Sequence, residues 1–325
     1  MAKPKVFVTR LIPAKGLDLI REFCDLDIWP AELPPSHEEI MQRVRDAEGI
    51  ISLLTDKIDS SVIDASPRLK VISNMAVGVD NVDVVAATAR KLPVGNTPGV
   101  LTDATADQTF ALLLAAARRV VEGEKYVRSG KWITWGPQLL LGADLVGATL
   151  GIIGFGRIGQ AVAKRAQGFD LRVIYHDPTA QPVFGASPVD LDTLLHESDF
   201  VSLHVPLTLA TRHLVNAEFL LKMKSNAILL NTSRGGVVDQ SALHNTLRSK
   251  QIFAAALDVT DPEPLPMDSP LLELENCLIV PHLGSASKHT RDMMAYLAAQ
   301  NLIAGLKGER LPNCVNPKVY ESGKS

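Results

Sequence analysis

Short apolar runs alternate along the chain with longer stretches whose apolar residues recur every three or four positions, the rhythm of parallel strands and covering helices. Two series are legible. The first predicts strands at 5–8, 26–29, 50–53 and 69–72, with a short one near Pro93. Ser36 followed by Glu39 is a capping-box signature for a helix running to about Arg45, and Asn81 opens another before Arg90. The second series predicts strands at 149–153, 171–175, 200–203, 227–231, 253–258 and 277–280. Between them, 102–129 is rich in Ala and Leu and long enough for one or two helices that cross between domains. A last helix, 288–305, has no strand of its own to follow, so it is expected to return to the first domain. The fold class is α/β, with two doubly wound parallel sheets.

At about 150 residues per domain, 325 residues suggest two domains. Hydrophobic residues at 46% and charged residues at 21% exclude disorder and a coiled coil. The 33 basic and 36 acidic residues leave a net charge of −3 with no long run of one sign, so no nucleic acid partner is expected. The longest wholly apolar run of the first half, 110–117, falls far short of the ~18 residues that cross a bilayer. The opening MAKPKVFVTR lacks a signal-peptide core, so a cytoplasmic protein with no membrane partner is expected. Three cysteines without a CxxC pair argue against a disulfide framework and against a zinc site; no metal is expected.

The segment TLGIIGFGRIGQ places Gly154, Gly156 and Gly159 as GxGxxG directly after an apolar strand and at the start of a helical pattern. The glycines alone could mark a tight turn. Their context suits a dinucleotide: backbone N–H groups open to pyrophosphate, and the positive end of a helix dipole. Asp177 ends the next strand, 177 − 159 = 18 residues after the last glycine. A carboxylate there can accept both hydroxyls of an adenosine ribose and would repel a 2′-phosphate. NAD(H) is therefore the expected cofactor, with NADP(H) as the alternative.

Ligands of an open parallel sheet bind beyond the carboxyl ends of its strands, which draws attention to polar residues immediately after strands. Arg234 follows the fourth strand of the second series, Glu263 the fifth and His282 the sixth. Reduction of a 2-oxo acid by hydride needs a cation to hold the carboxylate and an acid to protonate the oxygen. Arg234 suits the first task through its bidentate geometry. His282 suits the second, with Glu263 beside it to hold the ring and favour its charged form.

Five segments occur in order: VGVDNVD (77–83), LGIIGFGRIGQAVA (150–163), NTSRGGVVD (231–239), LDVTDPEPLP (257–266) and PHLGSAS (281–287). Through them the chain resembles the D-isomer-specific 2-hydroxyacid dehydrogenases over nearly its whole length. Within that family it looks most like the glyoxylate/hydroxypyruvate reductases, through FVTRLIPAKG, SLLTDKID, GVLTDAT and WITWGP. The resemblance implies a catalytic set of Arg234, Glu263 and His282, with the substrate carboxylate held by backbone N–H groups of Val77 and Gly78 and the pocket lined by Leu53. It implies that Trp135 enters the pocket of a second subunit. Ser285 would touch substrate or His282, or else merely cap the last helix. Cofactor contacts carry over to Gly154, Gly156, Arg157, Ile158 and Gly159 in the loop, Asp177, Val205 and Pro206, Thr232, and Asp258 near the nicotinamide carboxamide.

The resulting expectation is a Rossmann NAD-binding domain at 99–284 inserted into a flavodoxin-like substrate domain of 1–98 and 285–325, with the active site in the cleft between them. The segment with Tyr126, Trp132 and Trp135 is expected to make a homodimer contact. The alternatives are another D-2-hydroxyacid dehydrogenase, such as a 2-ketogluconate reductase or a short phosphoglycerate dehydrogenase, and an NAD(H)-sensing binding protein. A methyltransferase would explain the glycine loop but not three reactive side chains at successive strand ends.

Overall fold

The apolar runs of the first hundred residues lie side by side as β1 (Lys5–Val8), β2 (Asp25–Ile28), β3 (Gly49–Ser52), β4 (Val71–Asn74) and β5 (Val94–Gly95). The computed structural model describes residues 2–180 and 185–321. These strands form one parallel sheet in the order β2-β1-β3-β4-β5. Alternation along the strands sends Phe7, Ile50, Ile72 and Val94 to one face, against apolar residues of α2 (His37–Val44), α3 (Ser60–Asp64) and α4 (Val84–Ala89). The capping box of α2 forms as expected, with Ser36 and Glu39 each accepting the other's backbone N–H. On the opposite face lie α1 (Ala14–Phe23) and the C-terminal helix Lys288–Leu306, docked by a hydrogen bond from Ser73 Oγ to the Ala298 carbonyl at 2.8 Å.

One expectation is corrected by the structure, and one contact was not anticipated. Asn81 does not open a helix: α4 starts three residues later, at Val84, capped by Asp83, whose carboxylate accepts the Ala86 N–H at 2.8 Å. The segment after the last helix also pairs with the sheet. Val315 N–H donates to the Val94 carbonyl at 2.8 Å, making an antiparallel bridge between Gly95 and Cys314 that covers part of the β5 edge.

The first unit comprises Met1–Leu101 and Ser287–Ser325, and the second Thr102–Ala286. The second begins with α5 (Thr102–Ala117) and α6 (Val120–Arg128), separated by Arg119, whose φ of 51° breaks the helix. Its sheet is built from β6 (Thr149–Ile153), β7 (Arg172–His176), β8 (Ser187–Pro188), β9 (Phe200–Leu203), β10 (Ile228–Asn231), β11 (Ala254–Leu257) and β12 (Cys277–Ile279). All are parallel, in the order β12-β11-β10-β9-β6-β7-β8. Six of these strands were expected; β8 is two residues long, ends on a proline and carries no apolar run.

Period-two alternation divides this core in two. Leu150, Ile152, Val173, Phe200, Leu230 and Ala256 pack with α5 and with α7 (Arg157–Ala166). Ile153, Ile174, Val201, Leu229 and Leu257 pack with α8 (Leu191–Glu197), α9 (Ala217–Leu221) and α10 (Gln240–Arg248). Among the described residues, no helix is long and apolar enough to cross a membrane.

Candidate active site

The glycine loop leaves β6 at Gly154, whose φ of 88° is strained for any residue with a Cβ. A Cβ at Gly159 would stand 2.3 Å from the Gly154 carbonyl, so this glycine lets α7 pack against the turn. Gly156 differs: a Cβ there meets nothing within 4 Å. Its backbone faces open space at the N-cap of α7, followed by Arg157 and Ile158 in the first turn. These features fit a pyrophosphate approaching backbone N–H groups at a helix N-terminus.

Asp177 stands just past β7. Its carboxylate accepts N–H from Phe155 at 2.8 Å and from Thr179 at 2.9 Å, and the Thr179 hydroxyl at 2.8 Å. Burial pushes this carboxyl up, but the hydrogen bonds outweigh it and hold it below its usual range. The group beside the loop is therefore an anion at neutral pH. Val205 packs beside Gly154, a Cβ on which would lie 2.9 Å from Val205 Cγ1; Pro206 follows it after β9. The Thr232 hydroxyl shares a 3.0 Å hydrogen bond with Thr109 of α5.

Three neighbouring strands, β10, β11 and β12, carry Arg234, Glu263 and His282 just beyond their carboxyl ends. His282 Nδ1 and Glu263 Oε1 are 2.6 Å apart, a charge-assisted hydrogen bond when the ring is protonated. The imidazole's direction is thereby set, and Nε2 remains as the nitrogen that can exchange a proton. Arg234 lies half-buried, with Nη1 donating to the Ser233 carbonyl at 2.8 Å and its own carbonyl held by Asn231 Nδ2 at 2.9 Å. The loops after β10 and β11 touch at Gly235, where a Cβ would sit 1.9 Å from the Thr260 carbonyl. Glycine is what lets the loops bearing Arg234 and Glu263 approach each other.

Asp258, 1% exposed, bonds the turn that carries the histidine. Its carbonyl accepts the His282 N–H at 2.9 Å, and its carboxylate accepts N–H from Leu283 at 2.6 Å and Gly284 at 2.8 Å. Burial outweighs these amides and raises its carboxyl above the usual range. Sequence reasoning gave Asp258 only a cofactor contact and missed this grip; the signal is one acidic residue at the end of a buried strand whose neighbour carries a catalytic candidate.

In the first unit, Leu53 lies in the turn after β3, its N–H donating to Asp56 at 2.7 Å. Val77 and Gly78 follow β4, and no hydrogen bond among the described residues takes either N–H. Their carbonyls are held by side-chain amides, Val77 by Asn96 at 2.8 Å and Gly78 by Asn74 at 3.0 Å.

The NAD-binding-domain model of the D-isomer specific 2-hydroxyacid dehydrogenases matches residues 110–284. A glyoxylate reductase of Korarchaeum cryptofilum is 54% identical over 324 residues, 98% of each chain. This chain belongs to the D-isomer specific 2-hydroxyacid dehydrogenases. A Thermus thermophilus protein of known crystal structure superposes with a TM-score of 0.92 at 52% identity, covering 96% of this chain and 99% of that one. The NADPH-dependent glyoxylate/hydroxypyruvate reductase of Sinorhizobium meliloti, solved with NADP and malonate, gives 0.89 at 32% identity over 99% of each chain.

As a member of this family, the chain has an NAD-binding domain and two parallel α/β sheets. Trp135 stands exposed in the segment between α6 and β6. Ser285 does not cap the last helix; Ser287 does, its hydroxyl accepting the Thr290 N–H at 3.2 Å. Among the described residues, no group of three or more His, Cys, Asp or Glu could hold a metal ion.

Proposed function

We propose that this chain reduces glyoxylate or hydroxypyruvate to the corresponding 2-hydroxy acid, in the cytoplasm, with NADH preferred over NADPH. The observation that carries the reading is the 2.6 Å pair of His282 and Glu263, placed one strand from the Arg234 loop at the carboxyl edge of a dinucleotide-type sheet. A bound nicotinamide would supply the hydride. Gly154, Gly156, Arg157, Ile158 and Gly159 would hold its pyrophosphate, with Val205, Pro206, Thr232 and Asp258 as further contacts.

In the second unit Arg234 is the cation for a substrate carboxylate; in the first, the N–H groups of Val77 and Gly78, with Leu53, are the carboxylate-binding groups. As charge builds on the carbonyl oxygen, His282 Nε2 delivers a proton, and Glu263 stabilises the imidazolium from which it comes. Asp177 supports NADH: an anion held by amides repels a 2′-phosphate. The names of the Korarchaeum and Sinorhizobium relatives support the substrate class. A substrate this small offers few contacts, so glyoxylate and hydroxypyruvate are discriminated only modestly.

The functional form is a homodimer. Trp132, Ile133, Trp135, Leu141 and Val146 all stand exposed in one segment, Ile133 at 92%, and a second copy of the chain would bury them. Trp135 then serves the partner's pocket, and Ser285 supports His282.

Steady-state assays with glyoxylate, hydroxypyruvate and pyruvate, each with NADH and NADPH, test the reading. His282→Ala should lower kcat by about 10²- to 10⁴-fold, and Arg234→Ala should also raise KM. Near-normal turnover by His282→Ala, or equal efficiency with NADPH, refutes the corresponding assignment.

A further inference from the structure

Asn74, the last residue of β4, is a fully buried amide whose hydrogen-bonding groups are all engaged. Its Nδ2 donates to the Gly78 carbonyl and to Asn81 Oδ1, both at 3.0 Å. Its Oδ1 accepts from Ser52 Oγ at 3.0 Å and from Asn81 Nδ2 at 3.2 Å. The two asparagines therefore face each other as a reciprocal amide pair. Asn81 Nδ2 also reaches the carbonyls of Leu53 at 2.9 Å and Asp56 at 3.0 Å, tying the turn after β3 to the turn after β4.

These bonds matter because of how a peptide unit is built. The C=O of one residue and the N–H of the next share a rigid plane and point in opposite directions. A bond that fixes a carbonyl therefore aims the following N–H. Three successive planes are held this way: the Ala76 carbonyl accepts the Thr97 N–H at 2.9 Å, the Val77 carbonyl accepts from Asn96, and the Gly78 carbonyl accepts from Asn74. The N–H groups thereby aimed belong to Val77, Gly78 and Val79, and no hydrogen bond among the described residues consumes them. Successive N–H groups left open in one turn make an anion-binding concavity. Gly78, with the most backbone freedom of any residue, is the one whose flanking planes most need holding from both sides.

We propose that Asn74 and Asn81 are positioning residues for substrate: the amide pair fixes the Gly78 carbonyl, so that the 77–79 turn keeps its N–H groups aimed at the carboxylate of the 2-oxo acid. This rests on the reading of Val77 and Gly78 given above. It adds Val79 as a third donor and gives Asn81 a role unrelated to helix capping. Asn74→Asp tests it with almost no change of volume. The substitution removes both donors, opposes the Gly78 carbonyl with an oxygen, and adds negative charge behind a site built for an anion.

In the full chain, Asn74→Asp should raise the glyoxylate KM and the inhibition constant of oxalate by about tenfold or more. The dissociation constant of NADH, measured by fluorescence, should stay within about twofold. Asn81→Ala, which leaves the Asn74 bond to Gly78 in place but unlocks it, should raise the same two constants by a smaller factor. It serves as the test if Asn74→Asp does not fold. A merely structural amide pair would lower thermal stability without moving KM against kcat. Folded variants that keep wild-type KM and oxalate inhibition overturn the proposal while the wild type still turns over glyoxylate. A wild type that neither turns over a 2-oxo acid nor binds oxalate overturns the reading of the site and the proposal with it.

Discussion

Replacing Asp258 with Ala should cripple the histidine turn from behind. His282 has a φ of 53°, a left-handed conformation that a residue with a Cβ holds only at a cost of order 1–3 kcal/mol. Asp258 holds it there, since its carbonyl and carboxylate take the N–H groups of three consecutive residues, His282, Leu283 and Gly284. The Ala variant keeps the backbone bond and strands the other two N–H groups. At about 1–3 kcal/mol for the buried Gly284 donor and less for that of Leu283, an exposed residue whose N–H water can reach, the loss is roughly 2–4 kcal/mol. Against this stands relief from burying a carboxylate, the same desolvation that raises the Asp258 carboxyl, so a net loss of about 1–3 kcal/mol is expected. With the grip gone, His282 can relax to negative φ and swing its ring away from Glu263, so kcat should fall toward the ~10²- to 10⁴-fold loss of removing the acid itself. Asp258→Asn keeps one acceptor oxygen and should fall between the two. Urea unfolding of the full chain and steady-state kinetics are the assays. An Ala variant within about 0.5 kcal/mol of wild type and within about twofold in kcat would show that Asp258 does not hold the turn.

Two glycines should respond oppositely to the same added methyl group. Gly235→Ala drives a Cβ into the Thr260 carbonyl and should destabilise the chain by about 3 kcal/mol or prevent its recovery in soluble form. Gly156→Ala meets only open space, so it should fold normally yet bind NADH more weakly; unaltered NADH affinity would remove Gly156 from the pyrophosphate site. Burial pushes the His204 imidazole, bonded to Ser202 Oγ at 2.8 Å, down to about 4. The folded ring stays neutral while the unfolded ring titrates near ~6.5, so its contribution is complete above that pH and is lost as pH falls through 4. Between pH 7 and pH 5 the wild type should lose about 2 kcal/mol that His204→Gln does not; parallel pH dependence of unfolding in the two would contradict this.

How much of this was legible in the sequence depended on the range of the signal. Strands stood out wherever a short, mostly apolar run appeared, as at Lys5–Val8, Thr149–Ile153 and Phe200–Leu203, because a strand covered on both faces carries few polar residues. The two-residue β8 and the bridge from Gly95 to Cys314 were invisible, since backbone pairing alone makes them. The start of α4 was misplaced because Asn81 and Asp83 are both good capping residues two positions apart. What decides between them is the Asn74 amide, which meets Asn81 only after β4 and its turn have formed.

The candidate site divides along the same line. Arg234, Glu263 and His282 could be named in advance because a charged or titratable side chain directly after a buried strand is chemically conspicuous. The groups that aim them could not. Gly235 meets Thr260, Asp258 meets Gly284 and Asn74 meets the Gly78 carbonyl, and in each case one partner is a backbone atom that every residue possesses. A backbone acceptor or donor leaves no letter in the sequence, so the half of the interaction that specifies geometry is silent until the chain folds. Reactive side chains can therefore be read from residue type and position, whereas the precision of their placement is carried by contacts whose partner has no identity to read. Substitutions at Asp258, Gly235 and Asn74 probe that second layer, since they change the placement of the site without altering the chemistry of any of the three reactive side chains.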